Sequence, residues 1–576
     1  MPTGFWQSPP FTPLPSVTTL SSIFSSVMFK HPLIWIKVAC FFLLALMTPA
    51  HGAVWQFSAE TGVKKGDATG RAFLWIPPGC EHVRGLVIGQ QVILEAVALE
   101  DPAIRAACAK ENLALVLIVP ACVGDYDDKG KGADTLQKIL GDLAETSGYA
   151  EIAGAPLLTI GHSGGAIWAW NTAYWNPDRC FGVIGLHSAP IHPPAYAKKT
   201  KADGPTALND VPVLDISGQY EAWGIPNRLA EFHWRWVRGS LLEIRAIGRN
   251  PLVSELVEPG ITHFGWCAET ADYVAMFIRK AAQARIPAAA PVEGRPVVLN
   301  TIAQESGWLT DPTFMTPPRY PASPYAQFGG DPTLALWHFD EEMARATENY
   351  GVKNKGKALQ MVTFLQDGKP QPSAWLEEVA FAPVGDGMTA KVAADFVKET
   401  PPEMSSPTAH TLGHAPGPIQ FRLIGGWHGS GEQTGPDTFR IKPDRFYFSR
   451  PWNSLMVMAW HPGDEHYAYT EQPMAFKLPD TRKAGAPQTI TFASLPDLKA
   501  GAAPLPLLAT ADSGLPVEFC VIAGPAEIDH GALRLTAIPA RAKRPVAITV
   551  AAYQWGRSTE PTVRFADPVF QTLHVE

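Results

Sequence analysis

Gly161-His162-Ser163-Gly164-Gly165 sets one serine among small residues, directly after an apolar run (157–160) and directly before an apolar stretch of helical character (165–174). Glycine on both flanks lets the backbone bend sharply and lets a carbonyl approach the serine Oγ, as a nucleophile on a strand-to-helix corner requires. The start of the following helix adds a backbone N–H, Gly164 being the nearest, and a positive dipole end where an oxyanion would form. A serine hydroxyl is a poor nucleophile unless a base takes its proton and a carboxylate orients that base. Two downstream segments hold these types. In Val211-Pro-Val-Leu-Asp-Ile-Ser-Gly-Gln-Tyr-Glu, an apolar run ends in a turn and Glu221 falls three residues after Gly218; in Glu258-Pro-Gly-Ile-Thr-His-Phe-Gly-Trp, His263 sits in a glycine-flanked loop. Asp215 is the rival acid, but it lies inside the apolar run before its carboxyl end, so Glu221 is the expected partner. A protease with histidine and aspartate upstream of G-D-S-G-G is disfavoured: His162 stands beside the serine, and His82 is the only histidine between residue 53 and the motif.

The elements that must carry these residues alternate. Between 54 and 285 the pattern predicts strands at 73–76, 86–89, 114–119, 157–160, 182–186, 211–217 and 242–247. Helices are predicted at 102–111, 134–147, 165–174, 227–237 and 270–284. Strands alternating with amphipathic helices imply βαβ units and a mostly parallel sheet, with functional residues at the carboxyl ends of its strands. After about residue 350 the helical signal fades into short β-like runs (360–365, 419–424, 454–459, 475–478). From 486 onward, runs at 486–492, 516–521, 532–537 and 546–552 suggest a sandwich.

The elbow, the G-x-x-[DE] after a late strand and the loop histidine together resemble the α/β-hydrolase superfamily over about residues 70–285. The resemblance implies an α/β-hydrolase fold and a Ser163–Glu221–His263 triad without a cofactor or metal. The backbone N–H of Gln90 or Gln91, with that of Gly164, would then bind the oxyanion. The chain departs from the pattern in carrying Glu where Asp is commoner, and in having no H-G-G-G motif: the run 86–89 leads into Gln90-Gln91 instead. The tail is similar to bacterial Ig-like modules through Gln488-Thr-Ile-Thr-Phe and Ser513-Gly-Leu-Pro-Val-Glu-Phe.

Other residues have weaker claims. His187 follows a strand near the active face and is a candidate pocket residue, as is Trp223 just past Glu221. His233 is a further local histidine. Trp168 and Trp170 on the elbow helix read as core, and Trp308, Trp337, Trp427 and Trp452 could stack on sugars or pack cores.

With 576 residues the chain is too long for a single core. We expect a leader and signal peptide at 1–52, an α/β domain at 53–285, a linker or covering segment at 286–349, a β-rich module at 350–485 and an Ig-like sandwich at 486–576. Hydrophobic residues at 46% against 18% charged describe a globular chain, and a net charge of -8 offers no basic face to nucleic acid. Residues 38–47 form an apolar core behind Lys30 and Lys37, followed by the small-x-small site Ala50-His51-Gly52. That run is short for a membrane span, so we expect cleavage near Gly52/Ala53 and secretion or a periplasmic location, with an uncleaved anchor as the alternative; Met28 is an alternative start to Met1. Outside the signal, Cys80, Cys108, Cys122, Cys180, Cys267 and Cys520 leave room for one or two disulfides but show no zinc-site spacing. The expected activity is an exported serine hydrolase cleaving an ester of an acylated polysaccharide or a polyester. A peptidase or amidase on the same triad, or a non-catalytic surface-binding protein, are the alternatives.

Overall fold

The central sheet takes its strands from the most apolar runs of the chain. In this computed structural model, β1 (Phe57–Lys65), β2 (Ala68–Trp75), β3 (Gly85–Gln90), β4 (Leu113–Val119), β5 (Leu157–His162), β6 (Cys180–Leu186), β7 (Val213–Tyr220) and β8 (Val253–Thr262) form one sheet in the order β1-β2-β4-β3-β5-β6-β7-β8. Residues 54–576 are described, except 66–67, 122–130, 189–207, 222–232, 292–294, 373, 402–410, 425–430, 450–453, 479–480 and 482–483. β1 pairs antiparallel with β2 and β2 with β4; from β4 to β8 every neighbour is parallel. β3 to β6 are buried along their whole length, which explains why they read as unbroken hydrophobic runs and not as alternating ones.

Helices cover both faces. On one, Leu136, Ile139, Leu140 and Leu143 of the helix Lys131–Ser147 pack with Ala169, Trp170 and Ala173 of the elbow helix Gly165–Trp175 and with Val237, Leu241 and Ile244 of the helix His233–Ile247. On the other, Leu99, Ile104 and Cys108 meet Val274, Phe277 and Ile278 of the helix Ala268–Arg285.

The strand expected at 242–247 is instead the end of a helix. Its alternation suggested a strand, but Val237, Leu241 and Ile244 recur at helical spacing and all three are fully buried. The true last strand, β8, was hidden by Pro259 and Gly260, which sit inside it.

The second core does not stop at residue 285. Ile424, Phe446, Met456 and Met458 from the β-rich part lie in it together with Met343 of the helix Glu341–Gly351, and Phe446 meets Phe73 edge to face at 5.3 Å. Residues 308–310, 323–324 and 336–338 form a small sheet, with Trp337 wholly buried and Ser254 Oγ donating to its carbonyl at 2.5 Å. The β-rich part centres on a four-stranded sheet in which Ser454–His461 and Thr470–Lys477 pair along eight residues. Residues 486–576 add three small antiparallel sheets around a core of Phe492, Leu533, Ile548 and Leu573. Cys80, Cys108, Cys180, Cys267 and Cys520 are free. Cys80 and Cys180 are buried on one face of the sheet and Cys108 on the other, so the disulfides considered from the sequence do not form among the described cysteines. Cys122, the signal segment, Trp427 and Trp452 lie outside the described residues. No described helix is long and apolar enough to cross a membrane.

Candidate active site

Ser163 follows the last residue of β5 with φ +53°, a left-handed conformation that a side chain tolerates only where its surroundings hold it. Its N–H donates to the Leu186 carbonyl at 3.0 Å, and its own carbonyl accepts the Ala166 N–H at 3.2 Å. The motif's glycines have distinct reasons. A Cβ on Gly161 would lie 2.6 Å from the Ala166 nitrogen and closer still to the Gly165 carbonyl; one on Gly165 would lie 2.6 Å from Glu95 Oε1 and 2.9 Å from Val92 Cγ2. Gly164 is exposed, and a Cβ there would meet nothing within 4 Å.

Glu221 immediately follows β7, and His263 immediately follows β8. The Glu221 side chain folds back so that Oε1 accepts the Gly218 N–H at 2.7 Å, which accounts for the three-residue spacing of G-x-x-E. Its Oε2 lies 2.6 Å from His263 Nδ1. His263 Nε2, the nitrogen opposite, is buried and has no hydrogen-bond partner among the described residues. No bond joins it to Ser163 Oγ in this structure; unliganded hydrolytic sites commonly keep that contact open. Asp215 is turned elsewhere: Ser188 Oγ donates to it at 2.5 Å, and burial pushes its carboxyl well above the usual range.

A second histidine stands behind the acid. His187, at the end of β6 with φ +47°, is buried and places Nδ1 against Glu221 Oε1. Its Nε2 lies 3.2 Å from Glu258 Oε2, at ion-pair distance though poorly aligned as a hydrogen bond. With a carboxylate oxygen at each ring nitrogen, only the imidazolium satisfies both. Burial opposes that charge, but Glu221 and Glu258 outweigh it and hold His187 well above the usual histidine range. The same pairing acts on Glu221: burial would raise its carboxyl, yet His187 and His263 bring it well below the usual carboxylate range. His187 is therefore a buried partner of the acid and not the pocket-lining residue expected from the sequence. Trp223 lies outside the described residues, as does the side chain of His233.

Beneath the elbow, Glu95 accepts three backbone N–H groups: His162 on Oε1 at 2.7 Å, and Val92 and Ile93 on Oε2 at 2.8 and 2.9 Å. Burial pushes its carboxyl up to about 7 against these donors, which pull it down. His162 ties the elbow to the histidine loop, with Nε2 2.8 Å from the His263 carbonyl. Burial, with His263 and His187 nearby, keeps it well below the usual range, so it is the neutral tautomer donating from Nε2. The serine, the acid and both histidines thus stand at the carboxyl ends of four adjacent parallel strands, β5 to β8.

This is the α/β-hydrolase fold. No protein-family model matches the chain, and no curated protein matches it either. Among solved structures it is similar to a soluble variant of monoglyceride lipase from Saccharomyces cerevisiae, at 13% identity over 38% of this chain and 93% of that one, with a TM-score of 0.25. It is also similar to a poly(3-hydroxybutyrate) depolymerase from Bordetella parapertussis (15%, 40% and 90%, TM-score 0.28). An alpha-beta serine hydrolase homologue from Coxiella burnetii gives 15%, 40% and 98%, with a TM-score of 0.25. The strand order and the elbow, not these likenesses, carry the fold.

The sequence-based oxyanion donors divide. The Gln91 N–H already donates to the Ile118 carbonyl at 2.8 Å, while its side chain braces the next turn through Ile93 O and Ala96 N. It is therefore no free donor, contrary to the expectation. Gln90 is the buried last residue of β3, and Gly164 lies on the open side of the elbow. Glu95, Glu258 and Trp375 lie outside the set of site residues that the sequence points to. Glu95 carried a usable signal, an acidic residue directly after the apolar run 92–94; Trp375, more than 100 residues downstream of His263, carried none.

Proposed function

We propose that the chain is a serine hydrolase of carboxylic esters that works through an acyl-enzyme. The observation that carries this reading is Glu221 Oε2 at 2.6 Å from His263 Nδ1, two and three strands along from a serine held at φ +53°. Ser163 Oγ attacks the ester carbonyl as His263 Nε2 takes its proton, giving a tetrahedral oxyanion. Collapse breaks the bond to the alcohol, which leaves with the proton from His263. Water then repeats the sequence on the acyl-serine, releasing the acid and regenerating the serine. Glu221 holds His263 in the tautomer with Nδ1–H and stabilises the imidazolium, while His187 keeps Glu221 ionised. Gly164 N–H is the assigned oxyanion donor.

The export signal expected from the sequence and the β modules, of which the last resembles Ig-like modules, support an extracytoplasmic polymeric ester such as an acylated polysaccharide or a polyester. N-terminal sequencing of the secreted chain, expected to begin near Ala53, tests the location. Acetylated xylan, polyesters and aminoacyl amides offered side by side test the substrate class. The mechanism is tested by turnover of p-nitrophenyl acetate by wild type and Ser163→Ala: the variant should be inactive, and equal rates would sink it.

A further inference from the structure

Two observations tie the β-rich part to the residues assigned as acid and base. The first is Trp375, in the turn between the strands Lys369–Pro370 and Glu377–Ala380. Its indole N–H donates to the Glu221 backbone carbonyl at 3.1 Å, and its ring lies 4.8 Å from that of His263 and 4.8 Å from that of Phe264. The turn is held from below by Gln472, whose Nε2 donates to the Ala374 carbonyl at 2.9 Å. One side chain from outside the α/β sheet therefore touches both His263 and Glu221.

The second observation is Glu471 on the strand Thr470–Lys477, a carboxylate with no exposed side-chain surface. Its Oε1 accepts the Thr262 N–H at 2.9 Å and the Thr262 hydroxyl at 3.0 Å; its Oε2 accepts Tyr469 OH at 2.6 Å and Arg422 Nη2 at 2.8 Å. Thr262 is the residue before His263. The histidine loop is shaped for this contact on both sides: a Cβ on Gly260 would run into the Tyr469 backbone, and one on Gly265 would run into Ile261 and Glu471. The glycines that flank His263 in the sequence leave room for Tyr469 and Glu471 of the β-rich part.

We infer that the β-rich part completes the catalytic centre, with Trp375 as a positioning residue for His263 and Glu221 and Glu471 as the anchor of the strand end that delivers the histidine. The inference rests on the serine-hydrolase reading. It makes residues 350–485 a constituent of the esterase and not a separable carbohydrate-binding appendage. The indole does more than fill space: an aromatic ring within about 6 Å attracts a cation, so it favours the imidazolium that His263 becomes while Ser163 loses its proton. Glu471 carries two donors from one residue on a single oxygen, which fixes the direction in which β8 leaves the sheet.

The test uses the full chain. Wild type, Ser163→Ala, Trp375→Ala, Trp375→Phe, Glu471→Ala and Glu471→Gln are compared for kcat and KM on p-nitrophenyl acetate and for the rate of labelling by a fluorophosphonate. Misplacing the base by a fraction of an ångström should lower kcat and the labelling rate roughly ten- to a hundred-fold in Trp375→Ala and Glu471→Ala, with KM changed far less. Trp375→Phe, which keeps a ring but loses the indole N–H, and Glu471→Gln, which keeps an acceptor for Thr262, should each recover part of the loss. If both alanine variants keep kcat and labelling within about two-fold of wild type while Ser163→Ala is inactive, the positioning role is overturned. Should the alanine variants fail to fold, Trp375→Phe decides: a kcat several-fold below wild type supports the role, and an unchanged kcat overturns it. A fully active Ser163→Ala would refute the underlying serine mechanism instead, and the two failures are told apart by that single control.

Discussion

Gly161 and Gly164 sit three residues apart in one motif, and the structure demands opposite outcomes from the same substitution. In Gly161→Ala the new Cβ would stand 2.6 Å from the Ala166 nitrogen and closer to the Gly165 carbonyl, all backbone atoms of the first helical turn. Real Cβ contacts begin near 3.0 Å, so the start of the helix must retreat by about 0.4 Å or more, and overpacking of this kind costs about 1–3 kcal/mol. The retreat carries Ser163 with it. Since a misplacement of about 1 Å can cost about 10²-fold, kcat/KM should fall roughly ten- to a hundred-fold. In Gly164→Ala, φ is −61° and nothing lies within 4 Å of the new methyl, so the fold should be untouched. The assay is urea unfolding of both variants beside wild type, together with p-nitrophenyl acetate kinetics. Gly161→Ala should lower the unfolding midpoint and kcat/KM together; Gly164→Ala should leave the midpoint in place and act, if at all, on kinetics alone. The steric account of the elbow fails if Gly161→Ala matches wild type in both measurements, or if Gly164→Ala is the less stable of the two.

Glu221→Gln should lower kcat by about 10⁴-fold, because His263 loses the partner that sets its tautomer. Unfolding should show a loss of about 3–5 kcal/mol, since His187 keeps its charge while losing one buried counter-charge; a kcat within tenfold of wild type would refute the assignment of the acid. Asp215→Asn replaces a carboxyl already pushed toward its protonated form, and should cost less than about 1 kcal/mol in transition-state stabilisation; a loss as deep as that of Glu221→Gln would show that the wrong carboxylate has been named. Glu95 gives a prediction with a definite sign. Its folded value, about 7, lies above the ordinary 4.5, so its contribution to stability is fully present below pH 4.5 and is lost as pH rises through 7. Wild type minus Glu95→Gln, measured by urea unfolding, should therefore fall between pH 5 and pH 8 by at most about 3 kcal/mol; a difference independent of pH would disprove the shift.

Most of the α/β domain was legible because its elements announce themselves locally. The runs that became β3 to β6 are apolar throughout, and the glycine corner after β5 stands between a legible strand and a legible helix. The failures are equally local in origin. The 242–247 run alternates like a strand, and the helix it completes shows only in the buried face that Val237, Leu241 and Ile244 share. β8 was missed because its Pro259 and Gly260 imitate a turn. His187 was correctly placed at a strand end, but its direction, inward to Glu221 and Glu258, depends on neighbours 34 and 71 positions away in the chain. Gln91 shows the same limit: the sequence could offer its N–H to an oxyanion, while the ladder to Ile118 had already taken it.

The sequence alone determined the chemistry available: a serine on a glycine corner, a carboxylate just past a strand end, and a histidine behind it in a glycine-flanked loop. Residue type and near-neighbour spacing suffice for that, because turn geometry and strand burial are set within a few residues. Only the tertiary structure decided which groups meet. It brought His187 and Glu258 up behind Glu221, put Glu95 under the elbow and drew Trp375 and Glu471 from the β-rich part against the His263 loop. Those contacts are long-range, made of single hydrogen bonds, ring faces and close backbone approaches between segments that share no local pattern. They come into being only when both segments bury their apolar faces in one core.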